Sequence, residues 1–190
     1  VYVADLGIDK IMIYEIDYKE GKLNPAKIPY EKVRSGSGPR HFTFYNNSGY
    51  AYVVNELNST ITAFVVDHEL GRLSEIQTIS TIPNNFSGIN WAADIHIRGS
   101  FLYTSNRGHN SIAIFKIDPK SGKLQPVKCE SVQGETPRNF AIDPTGKFVL
   151  VANEDTNNIT CFKINNTSGE LEYTGFQLEV PLPQCIKFIT

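Results

Sequence analysis

Apolar and polar residues alternate along this chain in short runs that predict β-strands. The clearest pair is 50–54 and 60–66, two β-branched and aromatic runs separated by the turn-forming residues 55–59. Similar pairs occur at 1–4 with 10–16, at 101–105 with 111–117 and at 148–152 with 158–164. No apolar pattern of helical period is long enough to compete, and 14 glycines and 10 prolines interrupt the runs. The pattern predicts an all-β fold.

A short signature repeats about every fifty residues. It is DYKEGKL at 17–23, DHELGRL at 67–73, DPKSGKL at 118–124 and NNTSGEL at 165–171. Its glycines, Gly21, Gly71, Gly122 and Gly169, are 50, 51 and 47 positions apart, a spacing typical of solenoids, arrays and propellers. Each unit holds about four strands, and four antiparallel strands in a repeat of this length predict a propeller blade. We therefore predict a β-propeller with about four blades' worth of sequence.

The repeats place the blades near residues 1–35, 36–86, 87–133 and 134–181, with a final strand at 184–190. The chain opens on the second strand of a blade and closes on a run that resembles a first strand. Either the two ends pair to form one composite blade, or further blades precede this sequence in a larger ring. Because natural proteins avoid unpaired strand edges, we expect additional blades or another chain to cover the open edges.

Charge and composition exclude several classes of function. A formal net charge of -2, a pI of about 6.1 and the lack of a basic run argue against a nucleic-acid or anionic-lipid partner. No apolar stretch has the length of a membrane span, and no metal-ligand spacing or glycine-rich phosphate loop occurs, so we expect no membrane, metal or cofactor. Cys129, Cys161 and Cys185 are odd in number and widely spaced. This favours buried, reduced thiols and a cytoplasmic protein.

The first group of candidate functional residues lies at the start of the inner strands. Arg40 and His41 in one unit correspond to Arg138 and Asn139 in another, and Asp94 lies in the matching run of the unit between them. Inner strands line the channel of a propeller, so these side chains are expected near its wall or mouth. The guanidinium fork of arginine matches phosphate or carboxylate oxygens. The alternative is that these charges form structural bridges between blades.

The second group follows the second strand of each unit. A short polar residue recurs there, which we interpret as a turn former: Asp5, Asn55, Asn106 and Asn153. The next position varies in charge and is Leu6, Glu56, Arg107 and Glu154 in turn. His109 follows on the same side, and both His41 and His109 can titrate near neutrality, as acid–base chemistry requires. His96 and His68 are interpreted as having no functional role.

Several of these motifs resemble one known family. They are residues 3–11 (VADLGIDKI), 38–41 (GPRH), 54–57 (VNEL), 105–109 (SNRGH), 137–140 (PRNF) and 180–188 (VPLPQCIKF). Together they are similar to the motifs of the seven-bladed β-propeller lactonases, which include the propeller type of 6-phosphogluconolactonase and the fungal carboxymuconate lactonizing enzyme. The resemblance covers the whole chain and implies the C-terminal portion of such a ring.

The resemblance also implies a site at one mouth of the channel. Arg40, Glu56 and Arg107 match two arginines and a glutamate proposed for the lactonizing relatives, whose histidine belongs to a strand upstream of Val1. The implied reaction is hydrolysis of a phosphorylated sugar lactone, most simply 6-phosphogluconolactone. Glu56, or the histidine upstream of Val1, would then act as general base, Arg107 would stabilise the oxyanion, and Arg40 with His41 or Arg138 would hold the phosphate. The remaining candidates for substrate binding are His41, Arg138, His109 and Asn139.

Two other functions stay open at this stage. One is the ring closure of a carboxymuconate, in which the same arginines would bind carboxylates. The other is a binding scaffold without catalysis, because one fold hosts many functions. A scaffold would disperse Arg40, Glu56 and Arg107 into separate ion pairs, whereas a lactonase requires them to converge at one mouth.

Overall fold

The structure is a computed structural model that describes residues 1–45 and 48–189. Its described residues form β-strands and one 3-10 turn (Leu6–Ile8), without an α-helix. The strands are β1 (Tyr2–Asp5), β2 (Lys10–Asp17), β3 (Lys22–Lys32), β4 (Pro39–Tyr45), β5 (Tyr50–Asn55), β6 (Thr60–Asp67), β7 (Arg72–Ser80), β8 (Trp91–Arg98), β9 (Phe101–Arg107), β10 (Ser111–Ile117), β11 (Leu124–Ser131), β12 (Pro137–Ile142), β13 (Phe148–Asn153), β14 (Asn158–Ile164) and β15 (Leu171–Glu179). The all-β prediction is confirmed.

The strands form four antiparallel sheets, each a meander in which sequence neighbours pair. We call them blade 1 (β1–β3), blade 2 (β4–β7), blade 3 (β8–β11) and blade 4 (β12–β15). The innermost strands contact one another in the order β1, β4, β8 and β12. Three apolar cores fill the spaces between successive blades. The predicted propeller architecture is therefore confirmed.

Large side chains from facing blades build these cores. Tyr52 and Phe115 lie between blades 2 and 3, whereas Phe140 and Phe162 lie between blades 3 and 4, and all four are almost completely buried. Burying a side chain of this size stabilises the fold by about 1.5–3 kcal/mol. Because each blade buries its face against the next one, the blades hold each other at fixed angles around the channel.

A tyrosine contact explains the repeated glycine signature. Tyr52 Oη donates to Gly122 O at 2.8 Å, and Tyr103 Oη donates to Gly169 O at 2.9 Å, in each case from one blade to the next. Both glycines have positive φ angles, 68° and 77°. A Cβ on Gly122 would lie 2.3 Å from the ring of Tyr50. The glycine therefore supplies both a left-handed turn and room for an aromatic ring of the preceding blade.

The two ends of the chain do not pair with each other among the described residues. β1 is the free edge of the three-stranded blade 1. Residues 184–189 of the predicted final strand are not assigned to a strand because no neighbour pairs with them, and Thr190 lies outside the described residues. However, Ile186 N donates to Asn139 Oδ1 at 2.7 Å, as Phe140 N donates to Asp94 Oδ2 at 3.4 Å. The segment thus lies beside blade 4 where a next inner strand would run.

The repeated asparagines are buried core residues and not turn formers whose side chains bond nearby backbone. Asn55, Asn106 and Asn153 are fully buried within strands, so that interpretation is wrong for them. It holds for Asp5, whose carboxylate accepts from Gly7 N at 3.1 Å and caps the 3-10 turn. The sequence could not separate these cases, because burial depends on the neighbouring blade.

The buried amide oxygens of these asparagines differ in their partners. Asn106 Oδ1 accepts from Thr81 Oγ1 at 2.7 Å and from Asn90 Nδ2 at 3.1 Å. Asn153 Oδ1 is buried without a hydrogen-bond partner among the described residues. Val132 is the equivalent of Thr81 in the next repeat. In both cases the backbone N–H donates to the carbonyl oxygen of a residue with positive φ in a preceding turn. Thr81 therefore has a hydroxyl group where Val132 has a methyl group.

Exchanging these two side chains is expected to change stability in opposite directions. Thr81→Val leaves Asn106 Oδ1 with Asn90 Nδ2 as its donor and should lower the free energy of unfolding by about 0.5–1.5 kcal/mol. Val132→Thr supplies a donor to Asn153 Oδ1 and should raise it by about 0.5–1.5 kcal/mol. Urea unfolding of both variants measures the difference. A change of the same sign in both would contradict the assignment.

Candidate functional site

Each complete inner strand of blades 2 to 4 carries a β-bulge near the same end. The ladder shifts register at Arg40 in β4, at Ala93 and Asp94 in β8 and at Arg138 in β12. A bulge adds one residue to a strand and re-aims its side chain, and bulges are frequent next to active sites. Two of the predicted arginines therefore owe their direction to an irregularity that recurs around the ring.

The predicted arginines and glutamate converge at this end of the channel. Glu56 Oε2 lies 3.0 Å from Arg40 Nε, and its Oε1 lies 2.9 Å from Arg107 Nη2. Because Glu56 follows β5 in blade 2 and Arg107 ends β9 in blade 3, this carboxylate also bridges two blades. Arg138 is held more loosely, with its Nε 3.9 Å from Glu154 Oε2. We call these five residues the mouth cluster.

Positive charge is concentrated and partly desolvated in the mouth cluster. Burial, together with the positive charges of Arg107 and Arg138, lowers the pKa of Arg40, whereas Glu56 opposes this shift. Arg107 is only 9% exposed, and its Nε has no hydrogen-bond partner among the described residues. Its Nη2 is close to Glu56 but is not aligned for a hydrogen bond. A buried guanidinium whose N–H groups are not all satisfied is suited to binding an anionic oxygen once a side-chain movement gives the ligand access to it.

A second layer of polar residues lies one position further along the inner strands. His41 Nδ1 is 2.6 Å from Asp94 Oδ1, and Asn139 Nδ2 donates to Asp94 Oδ2 at 2.6 Å. His96 Nε2 lies 3.1 Å from Asp94 Oδ2. The layer meets the mouth cluster where Arg40 Nη1 lies 3.0 Å from His41 Nε2. We call His41, Asp94, His96 and Asn139 the channel layer.

Asp94 is the centre of the channel layer and is ionised. Burial alone would raise its pKa, but the hydrogen bonds of His41 and His96 outweigh it and hold the pKa well below its usual range. The backbone N–H groups of Ile95 and Phe140 add hydrogen bonds at 2.9 and 3.4 Å. A buried carboxylate supplied with donors on both oxygens is a fixed negative charge.

His109 does not share the contacts of either group. Its Nδ1 lies 2.7 Å from Ser111 Oγ, its ring packs edge-on against Phe86, and burial lowers its pKa. Conversely, the sequence pattern assigns no functional role to His96, yet His96 Nε2 contacts Asp94. The sequence does place His96 two residues after Asp94, and therefore on the same face of β8, which could have indicated this contact.

The remaining sequence expectations concern cysteines, metals and membranes. Cys129 and Cys161 are half-buried and free, whereas Cys185 is free and exposed, contrary to the expectation of burial. The cytoplasmic location stays a prediction. Within 1–45 and 48–189, no three His, Cys, Asp or Glu side chains are grouped to hold a metal ion. In the same ranges, no helix is long and apolar enough to cross a membrane.

The family model described as "Lactonase, 7-bladed beta-propeller" matches residues 1–188. The chain belongs to this family. It is 37% identical to the 6-phosphogluconolactonase of Bacillus subtilis over 191 positions, which cover 100% of this chain and 54% of that relative. It is 43% identical to an uncharacterized protein of Lactococcus lactis over 75% of this chain and 41% of that relative. The chain thus spans about half the length of the curated relatives it matches.

Solved structures of the family have the same arrangement of blades. A periplasmic gluconolactonase of Pseudomonas aeruginosa superposes with a TM-score of 0.93 at 35% identity, over 100% of this chain and 53% of that one. A protein from Lactobacillus plantarum gives a TM-score of 0.94 at 34% identity, over 100% of this chain and 55% of that one. The resemblance found in the sequence motifs is therefore confirmed at the level of family and fold.

Proposed function

We propose that this protein takes part in hydrolysis of a phosphorylated sugar lactone, with 6-phosphogluconolactone as the substrate. The observation that carries the proposal is the convergence of Arg40, Arg107 and Glu56 at one mouth, where Arg107 Nε has no hydrogen-bond partner among the described residues. The name of the Bacillus subtilis relative supports the choice of substrate. Shared ion pairs around one carboxylate also favour this function over a scaffold with dispersed charges.

The reaction sets two requirements on the site. A lactone is a cyclic ester, so water adds to its carbonyl carbon and the carbonyl oxygen becomes an oxyanion. The ring C–O bond then breaks, which leaves a carboxylate and a hydroxyl group. A base must take the proton of the attacking water, and a fixed donor must stabilise the oxyanion.

Arg107 and Glu56 are placed to meet these two requirements. The guanidinium of Arg107 is buried and has N–H groups to offer to an oxyanion. Glu56 lies between Arg40 and Arg107, each paired with one of its oxygens. Substrate oxygens that attract either guanidinium would release one carboxylate oxygen, which then accepts the proton from water.

Arg138 is proposed to bind the phosphate together with Arg40. Its side chain is 39% exposed and its contact with Glu154 is long, so it can turn toward a ligand at small cost. Its positive charge contributes to lowering the pKa of Arg40. Two arginines at one mouth match the charge and geometry of a phosphate group.

Truncating Arg138 is expected to affect phosphorylated and unphosphorylated lactones differently. With full-length protein, Arg138→Ala should raise KM for 6-phosphogluconolactone by about 10-fold or more, because a charge-assisted hydrogen bond is lost. KM for gluconolactone should stay within about twofold. Initial rates of acid release measure both, and exposed Arg72, which lies 3.8 Å from Asp67, supplies the control Arg72→Ala.

The same assay separates the competing outcomes. Equal losses for both lactones would contradict a phosphate-binding role for Arg138. Turnover of a carboxymuconate in place of either lactone would identify ring closure as the reaction. Absence of turnover on every substrate by the full-length protein would contradict the proposed function.

A further inference from the structure

The channel layer is built from equivalent positions of successive blades. His41 and Asn139 follow the bulge of their inner strand, Asp94 lies within the bulge of its own, and the three contact one another in turn around the channel. Only the middle blade supplies a carboxylate at this position. This carboxylate reaches the mouth cluster through His41 and Arg40.

We propose that Asp94 is a positioning residue that holds His41 with its proton on Nδ1, so that His41 Nε2 accepts a hydrogen bond from Arg40. Asp94 then orients the Arg40 guanidinium that faces Glu56. The effect on catalysis rests on the proposed lactonase function, whereas the effect on His41 does not depend on it.

Asp94 is in direct contact with His41. Asp94 is 3% exposed, and its Oδ1 lies 2.6 Å from His41 Nδ1. An ionised carboxylate can only accept hydrogen bonds, so the hydrogen in this contact must belong to His41 Nδ1. A neutral imidazole protonated at Nδ1 has a free lone pair on Nε2.

His41 in turn contacts Arg40. Arg40 Nη1 lies 3.0 Å from His41 Nε2, and arginine is always a donor, so this distance requires a lone pair on Nε2. The same Nη1 donates to Ala93 O at 2.7 Å, while Nε pairs with Glu56. Three contacts therefore fix the plane and direction of the guanidinium. Because Nε2 is engaged, His41 acts here as a support and not as the base.

Neighbouring side chains hold the carboxylate of Asp94 in place. Asn139 Oδ1 accepts from Ile186 N at 2.7 Å, which directs Nδ2 of the same amide toward Asp94. His96 Nε2 also lies beside Asp94 Oδ2, and its ring packs edge-on against Phe140. Donors on both sides hold the carboxylate in one orientation. The layer is thus a rigid support under the mouth cluster.

Nitrogen NMR of the imidazole groups tests the first part of the inference in the unmodified full-length protein. At a pH where His41 is neutral, its two ring nitrogens should show the pattern of the Nδ1–H tautomer. Asp94→Ala removes the acceptor and is expected to abolish that single pattern. Finding the Nε2–H tautomer in the unmodified protein would overturn the inference without any assumption about catalysis.

A double-mutant cycle tests the second part. Asp94→Asn is expected to raise KM for 6-phosphogluconolactone roughly 10- to 100-fold, as small misplacements of a binding group do. In an Arg40→Ala background the same change should add less than about twofold, because Asp94 would act through Arg40. If the two substitutions instead raise KM independently, so that their fold-changes multiply in the double variant, Asp94 has a general structural role and the inference is overturned. If the protein hydrolyses no lactone but His41 has the expected tautomer, the proposed function fails and the positioning of His41 stands.

Discussion

Replacing Arg107 with alanine is expected to lower kcat for lactone hydrolysis by about 10²–10³-fold. Arg107 is the most buried charge of the mouth cluster, and its Nε lacks a partner among the described residues. A donor held in place before the reaction stabilises the oxyanion without reorganisation, so its loss falls on the transition state. Steady-state rates at saturating substrate measure kcat and separate this effect from a change in KM.

Two further variants make the Arg107 result interpretable. Glu56→Gln keeps the size of the side chain but removes the proposed base, so kcat should also fall, by about 10²-fold or more. Arg72→Ala removes an exposed arginine at the start of β7 and should leave kcat within about twofold. Circular dichroism shows whether each variant is folded. Undiminished turnover in both mouth variants would refute the roles assigned to them.

The sequence predicts the blades well because each blade repeats the same local pattern of short strands and turns. Gly71, Gly122 and Gly169 recur since each supplies a left-handed turn beside an aromatic residue of the preceding blade. Short alternating runs define strands such as β5 and β6 before any tertiary contact is considered. The family resemblance then identifies Arg40, Glu56 and Arg107, which the structure brings together.

Contacts between blades are what the sequence could not predict. Burial of Asn106 depends on Thr81 and Asn90 in the adjoining segments. The link between Asp94 and His41 joins residues 53 positions apart, and nothing in either strand alone indicates it. His109 shows the reverse case, since its position after β9 predicts a place at the mouth but its side chain contacts Ser111 instead. Distances across a ring depend on blade angles, which local patterns do not encode.

Replacing Gly108 with alanine is expected to cause the largest loss of stability among the changes considered. Gly108 follows Arg107 directly and has a φ of 122°, a conformation that other residues rarely adopt. A Cβ there would lie 2.1 Å from Ile89 O and 3.1 Å from Asn90 Cα, and both are backbone atoms that no rotamer change can move. The free energy of unfolding should fall by about 3 kcal/mol or more, as measured by urea unfolding.

Gly99→Ala is the matched control for the Gly108 variant. Gly99 also has a positive φ, 57°, but a Cβ there would meet nothing within 4 Å. Its cost should therefore be that of the left-handed backbone alone, about 1–2 kcal/mol. Equal losses at the two sites would show that the close approach of the Ile89 carbonyl is not what requires glycine at position 108. A larger loss at Gly108, with Arg107 displaced and kcat lowered in whatever protein still folds, would show that this approach holds the mouth cluster in place.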